Sequence, residues 1–168
     1  KINQAIILGK QRTPSQDVEF AVSQLVEIAV RALSPGVNDP FTAIRCADRL
    51  GSALSRLAGR AIPSPYRRDK QNQLRLIAPP VTFPAVLEAA FNQIRQNART
   101  NASVTIRLME TIAVVAACAH RPEDCAALLQ QAELIARGAR EGLPEVKDRR
   151  DVEDRLQEAN RVLKERGE

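Results

Sequence analysis

The chain holds 168 residues, 44% of them hydrophobic and 27% charged, with a net charge of +5; that size and balance suit one domain with a real core and exclude two independent ones. Aromatic residues are only 3% and Trp is absent, so the core has to be built from Leu, Ile, Val and Ala, a composition of packed helices rather than of a β-rich fold. The longest apolar run, Thr111 to Ala119, falls far short of the roughly 18 residues that cross a bilayer, and Cys46, Cys118 and Cys125 are too few and odd in number for a disulfide framework, which points to a reducing compartment.

The chain opens on Lys1 without a signal peptide, as a piece of a longer protein would. Residues 1–16 read as a lead-in, with Ala5-Ile6-Ile7-Leu8 as a short strand and a turn from Gly9 to Ser15. A helical hairpin follows over 17–60. Its first helix runs from about Asp17 to Ser34, with Val18, Val22, Leu25, Ala29 and Leu33 on one face. From Leu25 onward it is apolar on most sides, which predicts a central position. Pro35 and Gly36 stop it, and Gly36 is the residue suited to a positive φ. Asp39 caps the second helix with Pro40 at its first position, and Ala43, Cys46, Leu50, Ala53, Leu54 and Leu57 face the core.

Residues 61–82, punctuated by Pro63, Pro65, Pro79 and Pro80, are the least helical stretch. Leu74 to Ile77 is strand-like, and a small hairpin packed on the helices is predicted. Three further helices are expected over 83–142. One runs from near Pro84 to Arg99 on Leu87, Ala90, Phe91 and Ile94, one from Asn101 to about Ala119, and one from Pro122 to Gly138 or Gly142. The last helix, within 145–167, differs in kind. Val152, Leu156, Ala159 and Leu163 make a narrow apolar seam flanked by Asp151–Arg155 and Arg161–Glu165 pairs, a candidate surface for self-association into a homo-oligomer. The whole reads as a mainly α, antiparallel bundle of about six helices, with a small β-hairpin around 61–82 and a short N-terminal strand.

The sharpest motif spans Ser34, Asn38, Asp39 and Thr42. Ending one helix and starting the next accounts for every conspicuous residue in it except Asn38. The competing reading is an anion site at the second helix's N-terminus, which Asp39 opposes because its carboxylate takes the same N–H donors. Arg12, Gln16 and Asp17 form a second polar group. Roughly 27 Å of first helix separates Asp17 from Asp39, so the two motifs do not make one centre within a protomer. Arg45, Arg49, Arg56 and Arg60 recur at spacings of 4, 7 and 4 along one edge of the second helix, reinforced by Arg67, Arg68 and Lys70. They are either a solvated flank with stems over the core or a contact for anionic lipid or a small anion.

Charge is uneven: residues 1–110 carry 15 basic and 8 acidic side chains, residues 111–168 carry 10 and 12. One histidine, no C-x-x-C, no paired His and no glycine-rich phosphate loop exclude the familiar metal, nucleophile and nucleotide sites, so no catalytic residue, metal or cofactor is assigned. The sequence pI is about 9.6, yet no nucleic-acid-binding motif accompanies it and stacking aromatics are scarce, which excludes nucleic acid.

Arg12-Thr13, Gln16-Asp17-Val18-Glu19-Phe20, Gln24-Leu25-Val26 and above all the run from Arg31-Ala32-Leu33-Ser34-Pro35-Gly36 through Asn38-Asp39-Pro40 to Thr42-Ala43 resemble the carboxy-terminal region of a bacterial family of predicted integral membrane proteins, known only as domain of unknown function 2254. Leu74-Arg75-Leu76, Phe91-Asn92-Gln93-Ile94-Arg95 and the charged final helix continue the resemblance in order. It implies membrane-spanning helices upstream, with this portion on the cytoplasmic side of the bacterial inner membrane and its own transmembrane region as a partner. It implies no activity, cofactor or catalytic residue. Three functions follow as expectations: a non-catalytic assembly or regulatory domain; a sensor or gate binding an anionic small molecule or lipid headgroup; and, last, a hydrolase or transferase using Asp17 or Asp39.

Overall fold

Each of the first four helices begins at a residue whose side chain caps it, which is why the boundaries fall where they do. Asp17 caps α1 (Val18–Ala32), Asp39 caps α2 (Pro40–Ala58), Thr82 caps α3 (Phe83–Asn97) and Asn101 caps α4 (Ala102–Ala116). Proline within the first two positions also starts α2, α3 and α5 (Pro122–Gly142), and α6 (Val146–Gly167) closes the chain. The computed structural model describes residues 17–167. The expected N-terminal strand, Arg12 and Gln16 lie outside the described residues.

The helices pack in a closed circuit, α1 on α2, α2 on α4, α4 on α6, α6 on α5, α5 on α3 and α3 back on α1, with α4 also against α5. The N-terminal end of α1 (Val18, Val22) lies against the C-terminal end of α2 (Leu54, Leu57), so the two form the expected antiparallel hairpin. Inside the circuit sits one continuous aliphatic core in which Phe83 and Phe91 are fully buried.

The central helix is α4, not α1. On α4, Val104, Thr105, Leu108, Met109, Thr111, Ile112, Val115 and Ala116 are buried and meet neighbours on two sides. On α1 only Val22, Val26, Ala29 and Ala32 are buried, and Ile28 is 49% exposed. An apolar surround shows that a helix tolerates burial, and the number of helices that reach it is a tertiary matter. Ala53 on α2, expected inside, is exposed for the same reason.

β1 (Tyr66–Arg68) and β2 (Leu74–Ile77) pair antiparallel, Tyr66 opposite Ile77, Arg67 opposite Leu76 and Arg68 opposite Leu74, with an irregularity between Arg67 and Arg68. The hairpin forms as expected. It does not pack on the helices: all seven strand residues are exposed.

Candidate functional site: the outer face of α2

The loop from α1 to α2 is occupied by its own hydrogen bonds. Ser34 Oγ donates to the Arg31 carbonyl (2.7 Å), the Val37 and Asn38 amides donate to the Ser34 carbonyl (3.0 and 2.9 Å), and the Asp39 amide donates to the Ala32 carbonyl (2.8 Å). The left-handed residue is Asn38, at φ 48°, and not Gly36; no described glycine has positive φ. Asparagine visits this region more readily than other side-chain-bearing residues, because its short amide can bond locally. The one residue of the motif that turn chemistry had left over is therefore the one the turn is built on.

Asp39 Oδ1 accepts from the Thr42 amide (3.1 Å) and Oδ2 from the Thr42 hydroxyl (2.6 Å). The hydroxyl first, then the amide, hold its carboxyl below the ordinary carboxylate range, and the charge of Arg45 adds to this. An anion arriving here meets a carboxylate already on the helix N–H donors. Asp17 Oδ1 likewise accepts from the Phe20 amide (3.0 Å). The two carboxylates bracket α1, a helix of 15 residues, or about 22 Å, and do not converge.

Beyond the loop, one side of α2 faces solvent. Phe41, Arg45, Arg49, Ser52 and Arg56 are all exposed and share that side at 100° per residue. Arg60 stands just past the cap at Gly59, where its carbonyl accepts from Arg121 Nη1 (2.7 Å). None of Arg45, Arg49, Arg56 and Arg60 has an ion pair among the described residues, whereas acids elsewhere find arginines: Arg107 with Asp48 and Glu110, Arg140 with Glu153, Arg155 with Glu110 and Arg161 with Glu158 and Glu165. Phe41 is 73% exposed at the head of this row. With only four Phe and one Tyr in the chain, leaving a phenylalanine in water gives up core material that the fold is short of. Sequence reading took Phe41 as part of the loop motif. The available signal was its position four residues before Arg45.

Beside this face, and sharing Ser52 and Arg56 with it, α2 opens on a groove of about 480 Å³ against α4, lined also by Asp48, Ser55, Arg107, Glu110 and Cys118 among others. Its acids are committed. Asp48 holds Arg107 through both oxygens (2.7 and 3.2 Å), and Glu110 bridges Arg107 and Arg155 (3.1 and 2.9 Å). Burial pushes the Glu110 carboxyl up, and hydrogen bonds from the two arginines outweigh it, leaving it below its ordinary range. A carboxylate so held is a poor proton acceptor at neutral pH. No histidine lines the groove, and no His, Cys, Asp or Glu cluster of metal-binding form occurs among the described residues. None of the three cysteines is in a disulfide, and burial raises the Cys46 thiol.

The α6 seam is used within the chain. Val152, Leu156, Ala159 and Leu163 are buried where α6 lies on α4 and α5. Of its flanking pairs, Arg161–Glu165 forms (2.9 Å). Arg155 instead directs Nε to Glu110 Oε1 and Nη1 to the Asp151 carbonyl, because α4 brings a carboxylate closer to the guanidinium than its own helix does.

Fold and surface define a mainly helical bundle with a cationic, aromatic-tipped outer face and a projecting β-hairpin. Residues 1–114 match the family described as Predicted membrane protein (DUF2254), and the chain belongs to that family. It is 34% identical over 160 residues to uncharacterized proteins of Mycobacterium bovis and of two strains of Mycobacterium tuberculosis, an alignment that covers 95% of this chain and 31% of each of those proteins. The chain thus spans about a third of the length of the curated relatives it matches. No solved structure matches it, and no described helix is long and apolar enough to cross a membrane.

Proposed function

We propose that this region is a non-catalytic regulatory domain of a longer membrane protein, and that it engages phosphate groups on an anionic surface through the outer face of α2. The observation that carries the reading is the row Arg45, Arg49, Arg56 and Arg60, exposed on one side of a single helix and its cap and without ion pairs among the described residues. Four exposed cations near an anionic leaflet each contribute about 1 kcal/mol. The membrane-spanning part belongs to the portion of the longer protein outside this chain. The basic excess of residues 1–110 favours the cytoplasmic side, where cationic juxtamembrane segments are retained.

Self-association through α6 is not part of this reading, because the seam that suggested it is buried inside the chain. A hydrolytic role draws no support from the committed acids of the α2–α4 groove.

The test is co-sedimentation with vesicles of phosphatidylcholine alone or mixed with phosphatidylglycerol, comparing wild type with Arg45, Arg49, Arg56 and Arg60 all changed to Gln. Selective pelleting of wild type with the anionic vesicles is expected, with most of it lost in the variant. Titration with inorganic phosphate separates a lipid headgroup from a free anion as the source of the phosphate. Equal pelleting with both vesicle types, and no phosphate binding, overturns the reading.

A further inference from the structure

The β1–β2 hairpin is bonded within itself and packs on none of the described helices. Its turn is organised by Asp69, whose Oδ1 accepts from the amides of Gln71 (2.9 Å) and Gln73 (3.0 Å) and whose Oδ2 holds Arg75 Nε (2.6 Å). Asn72 takes the left-handed conformation, φ 62°, and its carbonyl accepts from Arg68 Nη1 (2.9 Å). The ladder continues below the strands through the Ala78 amide to the Pro65 carbonyl (2.8 Å). Isolated two-stranded hairpins are marginal in water, and here the side-chain bonds of the turn add to those of the ladder.

On that frame Tyr66, Leu74, Leu76, Ile77 and Val81 are exposed, Leu76 at 58% and Ile77 at 59%. Leu74 and Leu76 share one face of the ribbon with Arg67, and Ile77 lies with Tyr66 on the other; exposed aliphatics of this kind mark a surface that meets something apolar. Between them stand Arg67, Arg68, Lys70 and Arg75 against one acid, Asp69, which Arg75 already neutralises. Aliphatic side chains, a tyrosine and unpaired cations on one element match a lipid headgroup region, where apolar groups bury among chain ends and cations sit on phosphates. A second copy is the poorer occupant: strand pairing between two hairpins sets like charges against one another, which is destabilising.

We propose that the β1–β2 hairpin lays the face carrying Leu74 and Leu76 into the headgroup layer of an anionic bilayer, with Tyr66 and Ile77 at its edge, while Arg67, Arg68 and Lys70 contact lipid phosphates. The proposal rests on the reading of α2 as an anionic-surface contact and adds an apolar anchor at the C-terminal end of that face.

Tyr66 is the sole tyrosine and there is no Trp, so intrinsic fluorescence reports on the hairpin alone. Wild-type chain is mixed with phosphatidylcholine–phosphatidylglycerol vesicles carrying bromine on their acyl chains, and compared with a Leu74→Ser/Leu76→Ser/Ile77→Ser variant and with the four-Gln variant of α2. Tyr66 emission is expected to be quenched in wild type, and partitioning of the triple-Ser variant to fall about tenfold or more; its thermal midpoint stays that of wild type because none of the three residues is in the core. Pelleting without quenching, unchanged in the triple-Ser variant, overturns insertion and leaves the α2 reading standing. Quenching that persists in the four-Gln variant at full binding upholds insertion and removes α2 from the contact. No binding to either vesicle type sinks both. Concentration-dependent self-association abolished by the triple-Ser change, without vesicle binding, assigns the hairpin to a second copy instead.

Discussion

Gly51 on α2 and Thr111 on α4 lie so close that a methyl group on Gly51 would collide with the Thr111 Cγ2 methyl. Thr111 has no easy way to yield, since its β-branched side chain is fixed by its hydroxyl donating to the Arg107 carbonyl (2.8 Å). Helix propensity alone would make Gly51→Ala stabilising by about 1 kcal/mol. Overpacking costs about 1–3 kcal/mol and wins here because both helices are held in the core. Gly51→Ala is expected to lower the urea midpoint, and Thr111→Ser in the same chain, which deletes the colliding methyl, to restore most of it. A Gly51→Ala chain as stable as wild type would show that α2 and α4 do not approach this closely.

The α1–α2 loop separates what sequence reveals from what it hides. Caps are local, so Asp17, Asp39 and Asn101 announce their helices from neighbouring residues alone. Positive φ is also local, yet composition pointed to Gly36 when Asn38 takes it. Position in the bundle is not local. The apolar sides of α1 were legible, but whether two or four helices meet them is set by chain far away, and Ile28 stays exposed. The basic row on α2 was visible from its spacing. That it lacks acidic partners, and that the hairpin after it stands clear of the helices, required knowing where every other side chain goes.

Asn38 and Gly36 give that contrast a measurement. Nothing lies within 4 Å of a Cβ added at Gly36, and its φ is not positive. Gly36→Ala is therefore expected to leave stability unchanged or raise it by up to about 1 kcal/mol through the unfolded chain. Asn38→Ala, at φ 48°, is expected to cost about 1 kcal/mol, and Asn38→Gly to be tolerated. Thermal melts of the three variants decide the matter; the reverse order would place the strained residue at Gly36.

Asp124 is fully buried on α5, and Arg121 Nη2 lies 2.5 Å from its Oδ2. Burial nonetheless raises the carboxyl above its ordinary value, with Arg121 only partly opposing it. Between the ordinary 3.8 and the raised folded value, the native chain binds more protons than the unfolded one, so this group's contribution to stability falls as pH rises. Asp39 and Glu110, lowered in the fold, act in the opposite sense: their contribution is present above their ordinary values and is lost as pH falls through their folded ones. The difference between wild type and Asp124→Asn isolates the buried acid. Asp124→Asn is expected to gain stability relative to wild type as pH rises above 3.8 and to stay within about 1 kcal/mol of it at neutral pH. Arg121→Ala, which leaves the acid buried and alone, is expected to cost about 3 kcal/mol, and adding Asp124→Asn to recover part of that. An additive double variant would show that the two residues do not act as a pair.

Leu156 and Leu163 distinguish a seam that joins copies from one that closes the fold. At 7% and 6% exposure they lie where α6 covers α4 and α5, so an aspartate at either position places an unpaired charge in the core. Leu156→Asp and Leu163→Asp are expected to unfold the chain or cost upward of about 4 kcal/mol, and Leu156→Ala about 2–3 kcal/mol. Circular dichroism and denaturant melts measure this, and sedimentation velocity on the same samples gives the state of association. A well-folded Leu156→Asp chain with a wild-type melting midpoint and a reduced molecular mass would mean that α6 faces a partner copy rather than α4. Loss of secondary structure in step with loss of the seam leaves α6 as part of the core, and any contact between copies then has to use the solvent-facing sides of the bundle.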